Sequence, residues 1–226
     1  VIYPANKTET SSLSKSPFLK NSEDLKSIKF PELSKDISPI VFGCDNQINE
    51  VHAFAMFDYY YSKGGKVFDT AFIYNNGLSD RYLGNWINSR SLSDVVVLGK
   101  GAHTPDCFPE KIKPQIEESL SRGGIDKLDI YCLHRDNLDV PVTEFIDALN
   151  ECKNLGLIDV LGASNWELER FKAANDYADN RGIAGFKVLS NNFSLARMIE
   201  PVWPGCISCD EEYLSYLNEK NIHLFP

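Results

Sequence analysis

The sequence of 226 residues predicts an α/β fold, a (β/α)8 TIM barrel with about seven of the eight βα units present. Three observations carry this reading. Short apolar runs alternate with helix-length segments seven times, the links between them are short, and runs such as Val95-Val96-Val97-Leu98 are apolar on both faces. Strands buried on both sides and separated by helices run parallel, joined by right-handed crossovers. An open doubly wound sheet satisfies the same alternation. The Gly-x-Gly-x-x-Gly turn that would follow its first strand is absent, which favours the barrel.

The elements follow in order. Residues 1–37 are rich in Ser, Lys, Glu and Asn without sustained periodicity, and read as a linker or N-terminal extension, consistent with a preceding domain in a longer natural chain. Residues 38–226 form the barrel. A first strand is expected over 39–43, with Asn49 as N-cap of a helix over 50–62 that Gly64-Gly65 closes. Val67-Phe68 is the second strand. Ser79 caps the next helix, which carries Tyr82, Leu83 and Trp86 on one face, and 94–100 is the third strand. A helix from about Glu110, with Pro109 at its start, leads to a strand over 128–133. Val142, Phe145, Ile146, Leu149 and Cys152 recur at helical spacing before Gly156 and a strand over 160–163. Ser164 to Glu167 has the capping-box pattern for a helix reaching about Ala178, and strands over 186–189 and 222–225 flank a helix over 211–220.

Composition narrows the function classes. Apolar residues make up 43% of the chain, enough for a sizeable core. The net charge of −9, with no basic stripe, speaks against nucleic acid as a partner. No apolar run approaches the ~20 residues of a membrane span, so no membrane partner is expected. Six irregularly spaced cysteines in a domain of this size read as reduced thiols in a cytoplasmic protein. Cys206-x-x-Cys209 has no second pair at zinc spacing, and no metal site is expected.

Four polar residues stand at or just past the ends of consecutive apolar strands: Asp69 and Tyr74, Lys100, and His134. In a parallel barrel those ends converge on one mouth. A phenol is a poor proton donor near neutrality, and a neighbouring ammonium would pull its pKa down. Lys100 is placed to be that cation, with Asp69 as its partner and His134 orienting a carbonyl or assisting proton transfer.

The motif Phe68-Asp69-Thr70-Ala71-x-x-Tyr74-x-x-Gly77-x-Ser79-Asp80-x-x-Leu83-Gly84 resembles the signature of aldo-keto reductases, with Asp80 where the family often has Glu. The strand ending in Lys100, the run Leu128 to His134, and Leu155-Gly156-x-Ile158 through Gly162-Ala163-Ser164-Asn165 are similar to the family in order and spacing. The resemblance implies hydride transfer from NADPH, less often NADH, to a small-molecule aldehyde or ketone. It implies Tyr74 as proton donor, Lys100 and Asp69 tuning its acidity, and His134 positioning the carbonyl. Ser164 and Asn165 match the pair that bonds the nicotinamide carboxamide, and Asp69 also borders the cofactor.

The sequence departs from that pattern after the sixth strand. The family's cofactor-binding Gln falls at Ser190, followed by Asn191, so that contact is shortened or displaced. The aromatic that stacks on the nicotinamide and the basic segment for the adenosine phosphate would lie at or beyond Pro226, which implies a partial chain. Two other functions fit the same residues: a catalytically silent, nucleotide-sensing regulatory subunit of this fold, and an aldolase that uses Lys100 as a Schiff base.

Overall fold

The structure, a computed structural model, describes residues 24–226. The first part of the 1–37 segment lies outside them. Seven strands form one sheet in the order β1-β2-β3-β4-β5-β6-β7, every neighbouring pair parallel. They are β1 (Val41–Gly43), β2 (Val67–Asp69), β3 (Val96–Gly101), β4 (Leu128–Leu133), β5 (Ile158–Ala163), β6 (Val188–Leu189) and β7 (His223–Leu224). Six helices alternate with them: α1 (Glu50–Ser62), α2 (Leu78–Arg90), α3 (Pro109–Gly123), α4 (Val142–Asn154), α5 (Leu168–Arg181) and α6 (Glu211–Lys220). This is the barrel topology the alternation predicts. Within the sheet β1 and β7 are its edges, each bonded to one neighbour.

The pleat divides the core in two. Val67, Val96, Leu98, Ile130, Cys132, Val160 and Val188 face inward and form an inner cluster. Phe68, Val97, Tyr131, Leu133, Leu161, Ala163 and Leu189 belong to the outer cluster, packed with helix residues such as Trp86, Ile116, Phe145 and Phe171. Adjacent strand residues thus serve opposite faces, as the period of two requires.

The helix boundaries follow local chemistry with two exceptions. Asn49 caps α1 by accepting from the His52 N–H at 2.9 Å, and Asp210 caps α6 by accepting from Tyr213 N–H at 2.9 Å. Pro109 sits at the first turn of α3. Ser79, however, does not cap α2. That helix starts at Leu78 behind Gly77, at φ 84, because the turn before it is left-handed, and the Ser79 hydroxyl instead donates to the Cys44 carbonyl. Ser164 does not cap α5 either: the helix begins four residues later, behind Glu167, because Asn165 at φ 59 turns the chain first.

Residues 28–37, aperiodic in sequence, close the inner core. Backbone bonds between Ile28 and Ile37 form a short antiparallel bridge. It delivers Phe30 (2% exposed) and Ile37 (6%) into the inner cluster, with Lys35 reaching the Asp129 carboxylate at 2.8 Å. Phe30 lies against the rings of His223 and Phe225, with centroids 4.3 and 6.1 Å away. Emptying this site removes burial and leaves a cavity, so Phe30→Ala is expected to cost about 3–5 kcal/mol in denaturant-induced unfolding. A loss under about 1 kcal/mol would show that the segment only rests on the barrel.

Candidate active site

The inward-facing alternation that fills the core continues to the carboxyl ends of the strands and changes chemistry there. Val67 is followed two residues on by Asp69, Leu98 by Lys100, and Cys132 by His134. Each polar side chain therefore sits one pleat above an inner-core residue. Lys100 is 4% exposed, and its ammonium makes a direct hydrogen-bonded ion pair with the Asp69 carboxylate.

Tyr74 reaches this group through an unusual turn. The chain after β2 enters a tight 3-10 turn, Tyr74–Gly77, in which Asn75 and Asn76 have φ 48 and 53. Asn tolerates this left-handed region better than other non-glycine residues. The Asn75 amide bonds Ser79 Oγ at 3.0 Å and the Asp45 carbonyl at 3.3 Å, tying the turn to the loop after β1. On the other side the Arg122 guanidinium lies 4.2 Å from the Phe72 ring centroid and donates to the Phe72 carbonyl at 2.8 Å. Thr70 donates to the buried carboxylate of Asp80 at 2.7 Å, and Arg122 lies 3.6 Å from that carboxylate. The segment 70–77 is thus braced from α2, α3 and the β1 loop.

So held, the Tyr74 ring lies with its centroid 5.0 Å from Lys100 Nζ and 5.7 Å from the His134 ring, which in turn lies 4.8 Å from the His103 ring. The structure brings together the four residues expected to meet. It corrects the expected acidity of Tyr74. Burial, followed by the Asp45 carboxylate, pushes its pKa up to about 12, although Arg135 works the other way. The Lys100 ammonium, paired with Asp69 and 5.0 Å from the Tyr74 ring centroid, does not outweigh the effect of burial. Burial also pulls Lys100 down to about 8, with Cys132, Cys44 and Asp45 opposing. His134, 7% exposed, is pushed down to about 2 by burial and then by the charges of Lys100, His103 and Arg135. It is a neutral imidazole over the whole ordinary range, with one N–H to donate and a buried Nδ1 that has no hydrogen-bond partner among the described residues.

Above these residues opens a cleft of about 820 Å³. Its walls include Tyr74, His134, Arg135 and the apolar side chains Ile73, Leu138 and Trp203. Asp45 and His103 also border it. Motif reasoning misses Asp45, His103, Arg135 and Trp203, since they stand in aperiodic loops; the one available signal is that the first three lie within three residues of strand ends.

The residues matched to the nicotinamide carboxamide form a network at the ends of β5 and β6. Ser164 Oγ donates to the Ser190 carbonyl at 2.8 Å, and the Asn165 amide donates to Ser164 Oγ at 2.9 Å. Asn165 Oδ1 accepts from Ile207 N–H at 3.1 Å, while Asn191 bridges Asn165 N–H at 2.6 Å and the Trp166 carbonyl at 2.9 Å. Asn191 is 1% exposed and holds the loop rather than opening to the cleft. The Ser190 hydroxyl makes no hydrogen bond among the described residues. Of these residues Asn165 lines the cleft, whereas Ser164 is 4% exposed and spends its hydroxyl proton on the Ser190 carbonyl.

A barrel with an Asp, Tyr, Lys and His gathered at its carboxyl mouth defines a class, and comparison with known proteins names it. The aldo/keto reductase family profile matches residues 40–224, and the chain belongs to this family. Norsolorinic acid reductase B of Dothistroma septosporum is 28% identical over 191 residues, covering 74% of this chain and 48% of the relative. An aldo-keto reductase of Fusarium vanettenii is 24% identical over 211 residues, covering 79% of this chain and 54% of the relative. The chain spans about half the length of these curated relatives. Among solved structures, a thermostable aldo-keto reductase bound to the inhibitor epalrestat superposes with TM-score 0.73 at 17% identity, covering 88% of this chain and 71% of the other. An aldo-keto reductase from Klebsiella pneumoniae in complex with NADPH gives TM-score 0.71 at 24% identity, covering 88% and 66%. Both support the barrel.

The depressed pKa of His134 has a measurable consequence. Between its ordinary value of 6.5 and its folded value of about 2, the unfolded chain holds a proton that the folded chain does not, so this residue's stabilising contribution is present above pH 6.5 and is lost as pH falls. The slope from this one group is at most about 1.4 kcal/mol per pH unit. His134→Gln is expected to flatten the unfolding free energy between pH 6 and 4 by roughly that amount, as measured by denaturant titration. An unchanged slope would place the His134 proton elsewhere.

Proposed function

We propose that this chain carries the catalytic site of an NADPH-dependent, or NADH-dependent, reductase of aldehydes and ketones, with Tyr74 as the proton donor. The observation that carries this reading is the seating of Tyr74 and neutral His134 side by side at the floor of the cleft, over the buried Lys100–Asp69 pair. Membership of the family and the naming of its relatives as reductases support the reaction type.

Bound cofactor would supply the hydride. Ser164, Asn165 and Ser190 would hold its carboxamide, and Asp69 would border it. His134, neutral at working pH, donates its one N–H to the carbonyl oxygen and fixes its direction. Tyr74, with a pKa of about 12, stays protonated across the neutral range. Its proton moves when the carbonyl oxygen gains alkoxide character, since an alkoxide is more basic than a phenolate. Lys100, facing the ring, stabilises the negative charge the phenol then acquires, and Asp69 fixes the ammonium there.

A Schiff-base aldolase would need the Lys100 amine free and facing the substrate. Lys100 is instead enclosed and paired, which argues against that role. A regulatory subunit would keep the same geometry without turnover, so activity separates it from the reductase.

Tyr74→Phe tests the assignment. Loss of general-acid catalysis is expected to lower kcat by roughly 100- to 10,000-fold in NADPH-oxidation assays with a panel of aldehydes, with cofactor affinity by fluorescence titration little changed. A variant with near-normal rates would remove Tyr74 from the mechanism.

A further inference from the structure

Beyond the residues that act on the carbonyl, the cleft contains a cation with no established task. Arg135 follows His134 directly and lines the same cleft. Its guanidinium donates through Nη1 to the His134 carbonyl at 2.9 Å and, weakly, through Nη2 to Cys206 Sγ at 3.9 Å. Among the described residues it has no carboxylate partner, whereas the adjacent Asp136 is claimed by Arg170 through two hydrogen bonds of 2.8 Å each. Its backbone is fixed independently of the side chain: the Arg135 carbonyl accepts from Cys107 Sγ at 3.1 Å and from Trp166 Nε1 at 3.2 Å. The side chain is half-buried, and the Gly205 loop lies over it.

A half-buried guanidinium with unused N–H groups is a receptor for a planar anion, because charge-assisted bonds strengthen where water is partly excluded. Two open carboxylates border the cleft as well, Asp45 and Glu167, both exposed to solvent. At Tyr74 the charge of Asp45 counts for more than that of Arg135, so the cleft offers an anion one defined position at the guanidinium rather than a general attraction. Ile73, Leu138 and Trp203 supply apolar lining.

We propose that Arg135 is a specificity-determining residue that anchors a carboxylate on the carbonyl substrate, so that the preferred substrate class is aromatic or similarly apolar oxo-acids. The inference deepens the reductase reading and rests on it for the carbonyl. Binding of the carboxylate alone does not.

The test compares the NADPH-loaded chain on benzaldehyde and 4-carboxybenzaldehyde, with benzoate binding measured separately by calorimetry. The kcat/KM ratio is expected to favour the carboxylate by roughly 10- to 100-fold and to collapse towards one in Arg135→Gln, with part recovered in Arg135→Lys. Benzoate affinity is expected to fall by a similar factor in Arg135→Gln. A wild-type ratio at or below one overturns the anchor without recourse to any variant, and so does a ratio unchanged by Arg135→Gln. If neither aldehyde is reduced, the reductase reading fails on its own, and the benzoate titration decides: Arg135-dependent binding upholds the anchor, and its absence overturns it.

Discussion

Parallel strands in register impose the constraint on which this structure depends: every second side chain must point into the barrel. The same rule that sends Val67, Leu98 and Cys132 into the apolar stack sends Asp69, Lys100 and His134 into it one pleat higher. The stack below excludes water, and the polar layer above inherits that dryness. A charge placed there needs a partner, and Lys100 has one in Asp69. The buried pair is then the fixed point against which Tyr74 and His134 are set.

Burial, more than neighbouring charge, sets the protonation states of the site. It raises Tyr74 and depresses both His134 and Lys100. The imidazole is a neutral donor and the phenol a reserve acid that releases its proton only to a strong base. Such an arrangement suits a reaction in which the base appears late, on the oxygen of a reduced carbonyl. It suits less well a site that must hold a charged nucleophile in its resting state.

Much of this was legible in the sequence because it depends on strand periodicity and on the residues where that periodicity stops. Asp69, Lys100 and His134 each end an apolar run, and Tyr74 follows in a motif with fixed spacing. What escaped depends on three-dimensional partners. Ser79 and Ser164 have the look of helix caps, yet left-handed residues at Gly77 and Asn165 turn the chain so that the hydroxyls bond Cys44 and Ser190 instead. The direction of the Tyr74 shift could not be read from a nearby lysine, since it turns on how much water the fold removes. Arg135 and Trp203 sit in loops whose composition says nothing of the cleft they wall.

Phe30 touches His223 and Phe225, roughly 190 residues downstream. At the usual 5–20 residues per second, a ribosome takes on the order of 10–40 s to make the chain between them. Throughout that interval Phe30 lacks β7 and Phe225 to pack against, and the inner apolar cluster stays open on that side. Docking of the 28–37 segment against β7 therefore waits on synthesis of β7, and the inner core around Phe30 is completed only after that strand emerges.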